Sequence, residues 1–296
     1  MNLLLARSGM SLSAALRVLL FVLGVLVLFP QMLKPAGALA ARDLLRSQAA
    51  WTAALNWGVF LAVAIPTAVA ARLERRPFGD YGYPRRRAGG RLTEGFAWGV
   101  TMASLAAVIL RVTGAADFES AAHPVTVATV SGVVWWLSRL GFAALDQLMW
   151  RGYLQVTAAR GIGFWPAAWG LAIVFTVEKL LASQYRHALP LVAFLAWGLL
   201  SALMLKRTGS LWFGTGLQLG LEWGMVFLYG LRAQGTSTHP PGALMSASGH
   251  NALVTGGDAG MHGSVVMPAL IALAAVVVHV RFSAPGRTAS QSDQQA

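Results

Sequence analysis

Apolar residues in this chain do not alternate with polar ones. They run for about twenty positions at a time and are then cut by short polar stretches. Crossing a hydrocarbon core of about 30 Å takes about 20 residues of helix. Eight stretches come near that measure: 16–33, 50–71, 95–112, 130–158, 164–181, 189–205, 211–231 and 264–280. Continuous hydrophobicity points to helices, because lipid offers no partner to an open backbone N–H or C=O. The pattern predicts an all-α fold, a polytopic membrane helical bundle of about eight transmembrane helices. Residues 235–263, rich in Gly, Ser, Thr and Pro, read as an external loop with the option of folding back on the bundle. His239, His250 and His262 fall in it and are expected to be solvated or packed within the loop. The polar end, 283–296, reads as a disordered tail.

Composition supports the same class. Of 296 residues, 56% are hydrophobic and 11% charged, where soluble domains carry roughly 25% charged residues. A soluble enzyme is excluded, and so is intrinsic disorder, which requires low hydrophobicity. The net charge of +12 is concentrated, with seven arginines between Arg72 and Arg91. A basic loop between two apolar segments is the cytoplasmic signature of a membrane protein, and its natural partner is an anionic lipid headgroup. No basic, aromatic-interleaved soluble domain accompanies it, so nucleic acid is not an expected partner.

Counted over the ends of eight spans, 14 Lys and Arg fall on the N-terminal side and six on the other. That asymmetry implies both termini in the cytoplasm. The basic start, apolar run and Ala38-Leu39-Ala40 also fit a cleaved signal peptide, which leaves the later orientation unchanged. Cysteine is absent, which rules out disulfides and thiolate metal sites.

Ionisable residues lie inside the spans, where each costs at least ~2.5 kcal/mol on insertion scales and calls for a partner. The fourth span carries Arg139, Asp146 and Arg151, the fifth Glu178 and Lys179, and the seventh Glu222, with Gln147 and Gln218 adding neutral polar groups. Arg139 and Asp146 are seven apart and share a helix face. Gln147 with Arg151, Phe175 with Lys179, and Gln218 with Glu222 are i,i+4 pairs. Three helices therefore each aim a polar face, most simply at one cavity. Three cations balance three anions, so a neutral structural network is one reading and a proton-coupled transporter another. No metal or cofactor is expected, since the His and Cys ligands that zinc favours are missing from these positions.

At these residues the chain resembles the CPBP intramembrane proteases, which include the type II CAAX prenyl endopeptidases and bacteriocin-processing relatives. That family carries Glu-Glu-x-x-x-Arg, Phe-x-x-x-His and His-x-x-x-Asn or Asp on successive helices. The matching segments are Asp146-Gln147-Leu148-Met149-Trp150-Arg151, followed by Gly152-Tyr153-Leu154, then Phe175 to Lys179, then Gln218 to Glu222 preceded by Thr208-Gly209-Ser210-Leu211-Trp212. Arg76-Pro77-Phe78-Gly79-Asp80-Tyr81-Gly82 and Leu253-Val254-Thr255-Gly256-Gly257 extend the likeness.

The resemblance implies N-terminal helices over 1–125 with the basic loop 72–92, a CAAX-protease-like core over 126–282, and a bacterial cytoplasmic membrane. It also implies a peptidase of prenylated or membrane-tethered peptides. In that comparison Asp146 stands at the general base, Gln147 at the second Glu, Lys179 and Gln218 at the histidines, and Glu222 at the last polar position. Only Arg151 and Phe175 of the signature are unchanged. Aspartate reaches one methylene less than glutamate, and neither Lys179 nor Gln218 can donate and accept near neutral pH as imidazole does. The replacements imply an impaired or silent site, a pseudoprotease or a binding scaffold.

Overall fold

The computed structural model describes residues 14–41, 48–183, 188–231 and 243–282. His239 and the tail 283–296 lie outside the described residues. Among the described residues the chain is an all-α bundle with one pair of short antiparallel strands from distant parts of the sequence. Helices α1 (Ala14–Ala41), α2 (Gln48–Leu73) and α3 (Ala88–Val112) precede strand β1 (Ala116–Ser120). Then follow α4 (Val125–Gln147), a π-helical turn (Leu148–Tyr153), α5 (Leu154–Ile162), α6 (Phe164–Ser183), α7 (Leu189–Thr208), α8 (Trp212–Trp223) and a second π-helical turn (Gly224–Leu228). Strand β2 (Met245–Gly249), the single turn α9 (Ala252–Thr255), a 3-10 stretch (Gly257–Gly263) and α10 (Val266–Arg281) complete it.

Seven helical stretches among the described residues are long and apolar enough to cross a membrane, and they match seven of the eight expected spans. The segment expected over 211–231 is different in kind. It is the 12-residue α8 continued by a 5-residue π-turn, and every side chain from Phe213 to Leu221 is buried. Short and enclosed, α8 packs chiefly against α3 and α4, with a smaller contact to α7.

Its closest neighbour is α3, and the reason is the absence of side chains. Gly95 and Gly99 on α3 face Gly216 and Gly220 on α8, and a Cβ at any of the four would run into the opposite backbone. One turn further, a Cβ on Gly224 would lie 2.8 Å from that of Ala103. Small residues at i, i+4 and i+8 on both helices allow the approach typical of small-xxx-small crossings in membranes. Residue numbers rise together along the contact, so α3 and α8 run parallel.

That polarity agrees with the strands. β1 follows α3, β2 follows α8, and the two pair antiparallel from Ala116–Gly249 to Ser120–Met245. The ends of α3 and α8 therefore share one face of the bundle, reached after four intervening traverses. Of the expected loop over 235–263, residues 243–263 are described and pack on the bundle. They supply β2, and the 3-10 stretch buries Ala259, Gly260, Met261 and Gly263 against the bundle.

At the opposite, arginine-rich end, Gly82 takes φ +114°, and a Cβ there would collide with Leu211. Its carbonyl accepts from Leu211 N at 2.7 Å, and Pro84 O accepts from Trp212 Nε1 at 2.9 Å. These bonds fix the start of α8 to the segment after α2.

Candidate functional site

The helices carry their polar residues to one place. Lys179 on α6 sets its ammonium 3.4 Å from Asp146 Oδ1 and 3.2 Å from Glu178 Oε2. Gln218 on α8 donates through Nε2 to Asp146 Oδ2 at 3.2 Å and to Glu222 Oε1 at 3.1 Å. Arg139 on α4 lies 3.5 Å from Glu222 Oε2. The result is a row of cation, anion, amide, anion and cation running across three helices. Asp146, Gln147 and Gln218 are buried, whereas Glu178 is half exposed and meets Lys179 from the edge.

The two glutamines make chemical sense as a pair. Gln147 Nε2 donates to Gln218 Oε1 at 3.1 Å, and also approaches Ser201 Oγ on α7 at 3.4 Å. Gln218 therefore donates twice and accepts once. A single amide can do this, while an imidazole, with two ring nitrogens, cannot. The amide at 218 is thus matched to two facing carboxylates.

Aromatic rings wall the row. The Lys179 ammonium sits 5.1 Å from the centre of the Phe175 ring and 5.4 Å from that of Phe142. The Arg139 guanidinium lies 5.0 Å from Trp135 and 5.5 Å from Phe142. Such contacts favour desolvated cations. What remains open between Asp146, Lys179, Gln218 and Glu222 is a void of about 20 Å³, a volume suited to about one water.

Arg151 departs from the expected pairing. It is fully buried, but its hydrogen bond goes one turn on, to Gln155 Oε1 at 3.1 Å, and Gln155 in turn donates to Phe164 O at 3.1 Å. Arg151 lines a second small void with Asp146, Gln147 and Ser201. It thereby ties the start of α5 to α6 and faces the site from behind.

Both site helices lose their α geometry just past the polar residues. The turn after Gln147 is π-helical and contains Gly152 at φ −78°, ψ −116°, and the turn after Trp223 is π-helical as well. Single π-turns gather at functional sites because they re-aim side chains without ending a helix. Gly152 is needed there, since a Cβ would lie 2.8 Å from Leu148 Cδ1 and 3.1 Å from Tyr81 O.

One expectation is overturned. His262 is neither solvated nor packed within the loop but lines the same void as Asp146, Lys179 and Glu222. Its ring stacks on Phe194 with centroids 5.0 Å apart, and its Nδ1 is buried without a hydrogen-bond partner. The physical cause is the glycine-rich 3-10 stretch, whose small residues let the backbone enter the bundle. No local periodicity marks that entry. No group of three His, Asp or Glu side chains placed to hold a metal ion occurs among the described residues.

A second polar cluster had no signal beyond a lone acid among arginines. Glu74, just after α2, accepts from Tyr81 Oη at 2.7 Å, Tyr153 Oη at 2.9 Å and Arg160 Nη1 at 2.7 Å, with Arg17 Nη1 at 3.8 Å. Burial pushes its carboxyl up, but the hydrogen bonds from Tyr81, Arg160 and Tyr153 outweigh burial and hold it below its ordinary 4.5. Burial together with the neighbouring carboxylate drives the Tyr81 phenol above its ordinary 10.0.

Fold and site together define an integral membrane protein, an all-α polytopic bundle enclosing a charge-balanced polar network. Compared with family models, curated proteins and solved structures, the chain matches none of them.

Proposed function

We propose that this protein is a bacterial cytoplasmic-membrane relative of the CPBP intramembrane peptidases, with both termini cytoplasmic. In it, the site that would cut a prenylated or membrane-tethered peptide has become a self-neutralising lock between helices. The supporting observation is the meeting of Asp146, Lys179, Gln218 and Glu222, the positions the resemblance singles out, around a void of about 20 Å³. Both Asp146 oxygens already have partners, Lys179 and Gln218. The void holds about one water and no peptide. A closed network with its charges paired internally stabilises a bundle and leaves little to activate water.

The test is direct. The purified protein is incubated with a farnesylated peptide library, and the products are read by mass spectrometry. The parent chain is expected to yield no cleavage. The variant combining Asp146→Glu, Gln147→Glu, Lys179→His and Gln218→His, which rebuilds the family signature, is expected to cleave. Product from the parent that vanishes in Asp146→Ala would sink the proposal.

His262 favours a second reading, altered hydrolysis. There the void opens to admit a peptide, the unpartnered His262 Nδ1 takes a proton from a water whose oxygen adds to the peptide carbonyl, Lys179 faces the oxyanion, and the proton passes to the departing amine as the C–N bond breaks. This reading requires parent-chain cleavage that disappears in His262→Phe, a variant that keeps the stack on Phe194.

A further inference from the structure

A groove runs down the outer face of α1 and α2, from Arg17 to Val27 on one helix and from Ile65 to Glu74 on the other, with a volume of about 510 Å³. Its floor is formed where Gly24, which has no side chain, sits against Pro66. Its rims are apolar and face outward, with Leu20 53% exposed and Val27 66% exposed. These helices cross the membrane, so the rims meet lipid.

The groove has a polar end and an apolar end. At the polar end, Arg17 approaches Glu74 at 3.8 Å, and Arg160 binds the same carboxylate at 2.7 Å. Two guanidiniums, Arg17 and Arg160, against one carboxylate leave this end positive, and the exposed Arg72 and Arg75 flank it in sequence. At about 1.5 Å per residue, the ten steps from Arg17 to Val27 make about 15 Å, half of a hydrocarbon core of about 30 Å. The groove therefore spans one leaflet, with its cationic end at the headgroup level.

We infer that this groove is a binding site for an anionic phospholipid. One acyl chain lies between α1 and α2, and the phosphate meets the arginines around Glu74. Length, apolar walls and charge match a single lipid of one leaflet, and basic pockets between membrane helices favour anionic headgroups. Phe21, stacked on Tyr153 with ring centroids 4.8 Å apart, closes the inner wall. Tyr153 also holds Glu74, so wall and headgroup end are built as one unit.

The full chain in detergent is incubated with equimolar phosphatidylglycerol and phosphatidylcholine of matched chains, and bound lipid is read by native mass spectrometry. One phosphatidylglycerol is expected to be retained in preference to phosphatidylcholine. Arg17→Gln should lower that preference about fivefold, the value of one cation near the headgroup. Leu20→Trp and Val27→Trp, at exposed positions where the fold tolerates bulk, should each reduce retention of both lipids. Equal retention of the two lipids would overturn the inference, as would unchanged retention in both Trp variants. So would displacement of the lipid by inorganic phosphate, or by a farnesylated peptide at equal concentration.

Discussion

The Lys179 ammonium lies 3.4 Å from one oxygen of Asp146, while Gln218 donates to the other at 3.2 Å. Neither charge has comparable access to water. Removing one partner of a buried pair strands the other, at a cost of about 3–5 kcal/mol, whereas removing both costs far less. Lys179→Met is therefore expected to lower thermal stability in detergent sharply, and Lys179→Met with Asp146→Asn to recover much of it. Additive losses in that double-mutant cycle would mean that the two groups are not coupled.

The contact of α3 with α8 leaves no room for a methyl group. Gly99→Ala and Gly220→Ala each force the helices apart, and overpacking of this kind costs about 1–3 kcal/mol. Gly90, in the first turn of α3, has open space around its Cβ position. Gly90→Ala should be neutral or stabilising by up to about 1 kcal/mol, from helix propensity alone. Unfolding midpoints of the three variants compare these directly.

Glu74 makes stability depend on acid. Its folded value lies below the unfolded one, so its contribution is complete above about 4.5 and is lost as pH falls through the folded value. Glu74→Gln is expected to unfold at a lower temperature than the parent at neutral pH. The gap should narrow as pH falls below the ordinary carboxylate range, through the lowered folded value at which the parent carboxylate takes up its proton. A gap that stays constant across that range would remove the carboxylate from the account.

Beside the paired strands, Arg111, Asp117 and His250 form a row, with Asp117 2.9 Å from each of the other two. All three side chains are more than half exposed. Exposed pairs contribute roughly 0–1 kcal/mol, so Asp117→Asn should shift the unfolding midpoint very little. Geometry as good as that of the central network does not make this row its equal, because water screens it.

Span length and the i,i+4 spacing of polar residues are local properties, and they were legible in the residues alone. Seven of the eight expected spans could be read that way, as could the need for Asp146, Lys179, Gln218 and Glu222 to meet, since charges in lipid have only one another. The four-residue spacing of Gly95 with Gly99 and of Gly216 with Gly220 took its meaning only from the packing, since spacing does not name a partner. Tertiary packing decided the rest. It enclosed α8 against α3 and α4, turned Arg151 toward Gln155, introduced π-turns after Gln147 and Trp223, and carried His262 into the polar void. It also gathered Tyr81, Tyr153 and Arg160 around Glu74 from distant parts of the chain. Each of these outcomes depends on which helix lies beside which, and that follows from the summed fit of many side chains rather than from the spacing of any few.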